Sequence, residues 1–111
     1  CFSGNGFLPL PSLTLGAVGT VDAPLSIIPS VYNELYKAWV SGDIETAQEK
    51  QKEVTKKVSV LKSYNSAADA SKALLSEILE IDCGRSILPN RRLTDSETKE
   101  LISRAKEVGL I

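Results

Sequence analysis

The sequence predicts an α/β fold in which a short strand–helix–strand unit is followed by a mostly helical segment. Two short apolar stretches, residues 1–3 and 18–21, flank a proline-containing stretch with helical spacing. From residue 31 onwards, apolar residues recur every three or four positions, which is the period of an amphipathic helix. Strand signals are therefore confined to the first part of the chain.

The first part of the chain is interpreted as one parallel unit. Residues 1–3 predict the end of a strand, and Gly4-Asn5-Gly6 is a strong turn signal. Residues 8–17 predict a short helix that Gly16 ends, because prolines suit its first turn and a glycine its end. Residues 18–21 predict the second strand, and residues 22–29 a loop. Strands joined through a helix run parallel and need covered faces and neighbouring strands, so we expect this chain to be part of a longer protein.

The next stretch predicts two helices with recognisable ends. The first of them ends near Ser41-Gly42, and Asp43 is placed to cap the helix that follows. One face of this first helix is marked by Val31, Leu35, Ala38 and Trp39. This second helix carries a narrow apolar seam opposite a charged face. The seam consists of Ile44, Ala47, Gln51, Val54, Val58 and Leu61.

Two further helices are marked by their first residues. Ser66 begins one of them, with Asp69 three positions on, as in a loose capping box. Thr94 and Glu97 form a full capping-box pattern at the start of the last helix, and Gly109 is placed to end it.

Composition and charge exclude several classes of function. The formal net charge is −1 and the basic residues form no stripe, so neither nucleic acid nor an anionic membrane is favoured as a partner. No apolar run reaches the roughly 18–20 residues that span a bilayer. There is no histidine, and Cys1 and Cys83 stand far apart, so no metal site is expected. We expect a cytoplasmic protein with two free thiols and no cofactor.

Several short segments, taken in order, resemble a known family. They are Phe2-Ser3-Gly4-Asn5, Leu15-Gly16-Ala17-Val18-Gly19, Ser41-Gly42-Asp43-Ile44-Glu45-Thr46-Ala47, Ser71-Lys72-Ala73-Leu74 and Ile81-Asp82-Cys83-Gly84. Their order and spacing resemble the C-terminal part of the dihydrodipicolinate synthase and N-acetylneuraminate lyase family. The resemblance implies the last two strands of a TIM (β/α)8 barrel followed by a C-terminal helical bundle. Residues 1–30 would be the last two βα units, and residues 31–111 the terminal barrel helix and the helical extension.

Two departures from the family pattern bear on the structure and the substrate. The usual Arg-Pro-Pro-Leu element places its arginine at Ile87, whereas the nearest arginine here is Arg85, so the arginine contact of this segment is left open. A sialic-acid-type member carries an acidic pair just after Gly4, where this chain has Gly6 and Phe7. Sialic acid is therefore not expected as the substrate.

The resemblance implies the chemistry of a class I aldolase. In this family a lysine amine attacks the carbonyl of a 2-oxo acid such as pyruvate and forms a Schiff base, whose protonated nitrogen draws electrons from the adjacent carbon. The lysine and its assisting tyrosine belong to earlier strands of the family, which would precede Cys1. The nine lysines here lie in polar helical patterns and not in an apolar strand. No catalytic residue is therefore assigned to this chain.

The resemblance assigns a substrate-contacting wall to this chain. In TIM barrels the substrate lies over the C-terminal ends of the strands. Ser3, Gly4 and Asn5 would form the loop after the seventh strand, and Val21 would touch the bound oxo acid through its backbone. Asp22 would reach a hydroxyl of the acceptor aldehyde. The alternatives are that the glycine-rich loop is only a turn and that Asp22 only caps a strand end.

The resemblance also implies partners for the chain. They are pyruvate or another 2-oxo acid, an aldehyde, the rest of the barrel, and further copies in a homotetramer or homodimer. The acceptor is left open between that of dihydrodipicolinate synthase and that of a 2-keto-3-deoxy sugar acid aldolase. A different class of protein, a stand-alone helical interaction module, would use the seam of residues 44–61 as its partner face.

Overall fold

The computed structural model describes all 111 residues and is mostly helical. Its elements, in chain order, are β1 (Phe2–Ser3), α1 (Pro9–Thr14), β2 (Gly19–Thr20), a 3-10 helix (Ala23–Ser26), α2 (Pro29–Ser41), α3 (Ile44–Lys62), α4 (Ala67–Leu79) and α5 (Asp95–Glu107). The order of strand, helix, strand and then helices is the one predicted from the sequence.

The two strands pair in parallel, which confirms the predicted strand–helix–strand unit. Phe2 lies opposite Gly19, and Ser3 lies opposite Thr20. Helix α1 connects the strands and ends just before Gly16, the residue predicted to end it, whose φ is +93°.

The small sheet leaves apolar side chains in contact with solvent. Phe2 is 67% exposed, Val18 57% and Val21 68%. A groove of about 330 Å³ lies beside β1 and β2 and is lined in part by Phe2, Val18 and Tyr36. A parallel sheet is normally covered on both faces, so two strands alone do not complete this one.

The segment between β2 and α2 is more regular than the sequence predicts. The prediction of a loop is wrong at residues 23–26, which form the 3-10 helix. Asp22 caps this helix, since its Oδ1 accepts a hydrogen bond from the Ala23 N–H at 2.9 Å. Pro24 follows in the first turn, where a missing N–H removes no helical hydrogen bond.

Helices α2 and α3 pack along each other, and the junction between them is as predicted. Gly42 has a φ of +80° and ends α2 in the left-handed conformation that glycine adopts easily. The Asp43 carboxylate accepts the Thr46 N–H at 3.1 Å and so caps α3.

The apolar seam of α3 faces the interior of this chain. Four of its residues have no exposed surface: Ala47, Val54, Val58 and Leu61. They belong to a core of 18 buried residues to which all five α-helices contribute. Because the seam is already buried, it does not offer the partner face that a stand-alone interaction module would need.

Helix α4 begins close to the predicted position, but the capping box predicted for it is wrong. The Ser66 side chain makes no cap, and its hydroxyl donates to the Arg91 carbonyl instead. Asp69, the other residue of the predicted box, is 1% exposed and binds groups that follow the helix. Long-range partners have replaced the local one for both side chains: an acceptor for Ser66 and donors for Asp69.

Asp69 anchors the connection from α4 to α5. Its carboxylate accepts hydrogen bonds from the Arg85 guanidinium, from the Ser86 N–H at 2.8 Å and from the Leu93 N–H at 2.7 Å. Burial opposes ionisation of this carboxyl, but the hydrogen bonds outweigh it and hold the pKa of Asp69 well below its usual value. Ile87, where the family pattern has an arginine, is 77% exposed, so the arginine contact of this segment comes from Arg85.

Helix α5 begins with the capping box that the sequence predicts. The Thr94 hydroxyl accepts the Glu97 N–H, and the Glu97 carboxylate accepts the Thr94 N–H. Gly109 has a φ of +69° and follows the helix end, in the place predicted for it.

Two further findings concern thiols and membranes. Cys1 and Cys83 are free, as expected, with Cys1 exposed and Cys83 half-buried. None of the helices combines the length and the apolar character that a membrane span requires.

Replacing Asp69 by alanine should destabilise the protein strongly. The change leaves the buried N–H groups of Ser86 and Leu93 without an acceptor, and each such loss costs about 1–3 kcal/mol. We expect the free energy of unfolding, measured by urea titration, to fall by at least about 2 kcal/mol. Glu77→Ala is the control, because the pair of Glu77 with Lys106 is exposed and contributes less than about 1 kcal/mol. Equal losses in the two variants would contradict the anchoring role.

The same carboxylate should make stability sensitive to acid. Because the pKa of Asp69 is depressed in the folded state, its contribution is present above the ordinary aspartate pKa of about 3.9 and is lost as the pH falls below it. Between about pH 5 and pH 2, the native protein should therefore lose more stability than Asp69→Asn, measured by denaturation at each pH. Parallel losses in both proteins would assign the acid sensitivity to other carboxylates.

Candidate functional site

The residues predicted to contact substrate lie together at the C-terminal ends of the two strands. Ser3 ends β1, and Val21 directly follows β2. The Val21 N–H donates to the Ser3 carbonyl at 2.8 Å, which continues the pairing beyond the strands. A Cβ added at Gly4 would lie 3.8 Å from the Val21 carbonyl oxygen. The loops that follow the two strands are therefore neighbours.

The loop after β1 exposes polar groups at its tip. Gly4 and Asn5 are exposed, and Ser3 is half-buried. The Ser3 hydroxyl accepts the Asn5 N–H at 3.4 Å, and the Asn5 side-chain oxygen accepts the Phe7 N–H at 3.0 Å. The Asn5 amide group and the Gly4 backbone are thus accessible to a small ligand.

The Asp22 carboxylate binds backbone N–H groups of the loops after both strands. Its Oδ2 accepts the Gly6 N–H at 2.5 Å, while its Oδ1 accepts the Ala23 N–H. The Lys62 ammonium lies 3.6 Å from Oδ2, and the Asp22 side chain is 19% exposed. The carboxylate connects the loop after β1 to the loop after β2, so the alternative of a simple cap accounts for only one of its oxygens.

Tyr32 of α2 is a residue of this site that the sequence analysis missed. It is 6% exposed, and its hydroxyl donates to the Gly6 carbonyl at 2.8 Å. Burial raises the pKa of this phenol, and the negative charge of Asp22 raises it further, so the hydroxyl remains a donor at neutral pH. In the sequence, nothing distinguishes Tyr32 from an ordinary core tyrosine.

Gln51 and Lys62 of α3 hold the far side of the same loop. Gln51 Nε2 donates to the Phe7 carbonyl at 2.9 Å, and its Oε1 accepts the Leu10 N–H at 3.0 Å. The Lys62 ammonium lies 5.0 Å from the centre of the Phe7 ring, within the range of a cation–π interaction. Gln51 carried a usable signal, because it is a polar residue within an otherwise apolar seam.

All nine lysines lie on helices α2 to α5, and none is buried. Lys72, which adjoins an apolar run, donates to the Cys83 carbonyl at 3.2 Å. Near the strand ends, Lys62 is paired with Asp22. The groups at the strand ends that a ligand can reach are therefore the Ser3 hydroxyl, the Asn5 amide and the Gly4 backbone, and not a lysine amine.

The sequence matches one family of enzymes over almost its whole length. The model of the dihydrodipicolinate synthetase family matches residues 1–107. A 4-hydroxy-tetrahydrodipicolinate synthase from Archaeoglobus fulgidus is 31% identical over 109 residues, which are 98% of this chain and 37% of the relative. A synthase of the same name from Methanosarcina acetivorans is 26% identical over 109 residues, with the same two shares. The chain thus spans a little over a third of the length of these relatives.

Solved structures share the fold. A dihydrodipicolinate synthase from Bacillus anthracis has 26% sequence identity and a TM-score of 0.80, over 95% of this chain and 35% of that chain. A 2-keto-3-deoxygluconate aldolase variant from Sulfolobus solfataricus has a TM-score of 0.81 at 20% identity, over 97% of this chain and 36% of that chain. At that identity, the second likeness shows the fold alone.

These likenesses agree with the family that the resemblance indicated. The order of the elements is also shared over nearly all of this chain. With the family model matching residues 1–107, the chain belongs to the dihydrodipicolinate synthetase family.

Proposed function

We propose that this chain forms the C-terminal part of a class I aldolase, and that the complete protein makes or breaks a carbon–carbon bond next to the carbonyl of a 2-oxo acid such as pyruvate. The observation that supports this most directly is that Ser3, Gly4 and Val21 lie together at the C-terminal ends of the two strands. The chain shares its fold with a dihydrodipicolinate synthase. In barrels of parallel strands, this edge is where substrates lie.

In this proposal the reaction begins with a lysine outside residues 1–111. Its amine attacks the ketone carbon of the 2-oxo acid, water leaves, and a C=N bond forms. The protonated imine accepts the electron pair released when the adjacent carbon loses a proton, and the resulting enamine attacks the aldehyde. Such a lysine needs a desolvated site that lowers its pKa. The lysines of this chain lie on helices and none is buried, so they do not meet that requirement.

This chain supplies a wall of the substrate site. The Ser3 hydroxyl and the Asn5 amide are suited to donate hydrogen bonds to the carboxylate of the 2-oxo acid. Gly4 lets the ligand approach the backbone closely, because it has no side chain. The Val21 backbone offers a further contact. The contact of Asp22 with an acceptor hydroxyl stays a prediction, since its carboxylate already accepts two N–H groups.

The remaining strands of the barrel would cover the apolar surface that Phe2, Val18 and Val21 expose. Three further points also stay predictions. They are the division of the chain into barrel units (residues 1–30) and a helical part (residues 31–111), the assembly into a homotetramer or homodimer, and the cytoplasmic location. The acceptor remains open between that of dihydrodipicolinate synthase and that of a 2-keto-3-deoxy sugar acid aldolase, because no residue of the wall is specific to one of them.

Treating the complete protein with pyruvate and borohydride should attach one pyruvyl group, because borohydride reduces the imine to a stable amine. Intact mass detects the adduct, and peptide mapping locates it. We expect it on a lysine outside residues 1–111. Lys72→Arg is the control, since it keeps the charge beside an apolar run and should leave trapping unchanged. An adduct on any lysine within these residues, or none at saturating pyruvate, would overturn the proposal.

A further inference from the structure

Both backbone polar groups of Gly6 are bound by side chains that lie outside its loop. Asp22 accepts its N–H at 2.5 Å, and the Tyr32 hydroxyl donates to its carbonyl at 2.8 Å. Tyr32 belongs to α2 and is 26 positions away from Gly6, while Asp22 is 16 positions away. Two independent elements therefore orient the two peptide groups that flank the Gly6 Cα.

The space around Gly6 is filled by the same two side chains. A Cβ added there would lie 2.7 Å from Asp22 Oδ2, 3.0 Å from the Tyr32 hydroxyl and 3.1 Å from Pro24 Cγ. Gly4, two residues earlier, has nothing closer than the Val21 carbonyl at 3.8 Å. Glycine at position 6 thus permits a close approach to Asp22 and Tyr32, whereas position 4 faces open space.

The loop is also fixed on its far side. Gln51 binds the Phe7 carbonyl and the Leu10 N–H, and Lys62 lies over the Phe7 ring. Residues 6 and 7 are therefore held, and the residues left accessible are Gly4 and Asn5, which belong to the proposed wall.

We propose that Tyr32 and Asp22 are positioning residues, which hold the two peptide groups that flank Gly6 so that Gly4 and Asn5 meet the 2-oxo acid in one fixed geometry. This inference rests on the proposed function, adds Tyr32 to it and gives Asp22 a second role. Neither side chain needs to touch the 2-oxo acid, since both act through Gly6. Holding the loop before the ligand arrives lowers the entropy lost on binding, so the effect should be on affinity for the 2-oxo acid.

Gly6→Ala should disturb this arrangement directly. The added methyl group must displace the carboxylate or the phenol, because neither distance leaves room for it. We expect the melting temperature of the complete protein to fall by roughly 3–10 °C. Gly4→Ala should change the melting temperature little, since its surroundings are open. Equal melting temperatures for Gly6→Ala and the native protein would show that Asp22 and Tyr32 do not hold the loop at Gly6.

Tyr32→Phe tests the positioning role, because it removes only the hydroxyl. We expect the pyruvate concentration that half-saturates borohydride trapping in the complete protein to rise about 3- to 10-fold, the effect of one lost hydrogen bond. The extent of trapping at saturation should stay unchanged. Tyr36→Phe, on the same helix and 43% exposed, should leave both quantities unchanged.

Asp22→Asn provides a second variant. It presents one acceptor oxygen in place of two, and should also raise the half-saturating concentration. Combined with Tyr32→Phe, it should raise that concentration by less than the product of the single effects, because both side chains bind the same residue, Gly6. If the native protein traps pyruvate and both variants trap it with unchanged half-saturation, the positioning role is overturned and the proposed function stands. If the native protein itself traps no pyruvate, the proposed function fails as well.

Discussion

Helix α3 is the element on which the other helices depend. It contacts α1, α2, α4 and α5, and four residues of its seam, Ala47, Val54, Val58 and Leu61, are fully removed from water. A two-stranded parallel sheet cannot bury itself, and short helices are marginal without tertiary packing. Apolar burial along this seam, at about 25 cal/mol per Å² removed from water, is therefore what keeps the strand ends and the helices together.

The same helix shapes the strand ends through two polar side chains. Gln51 lies within the seam and Lys62 lies in the last turn, and both contact the loop after β1. Gln51 is 44 positions away from Phe7, whose carbonyl it binds. The helical region thus contributes to the candidate site by fixing the loop, besides burying the core.

Two carboxylates connect segments that are distant in the sequence. Asp22 joins the loops after the two strands, and Asp69 joins α4 to the segment before α5. Each accepts two backbone N–H groups and lies beside a cation, Lys62 or Arg85. An ionised carboxylate has two oxygens that accept several hydrogen bonds, so one residue satisfies several donors. Asp69 is almost wholly buried, whereas Asp22 keeps part of its surface exposed beside the proposed substrate wall.

The sequence by itself determined the features whose partners lie nearby in the chain, together with the family that its short motifs indicate. The caps at Asp43 and Thr94 were predictable, because each side chain binds an N–H three residues on. The period of α3 likewise predicted its buried face. Asp69 also lies three residues after a candidate cap, Ser66, yet its carboxylate binds donors that are 16 to 24 positions away. Only the tertiary structure decided this pairing and that of Tyr32 with Gly6, because a hydrogen bond between distant residues leaves no periodic trace in the sequence.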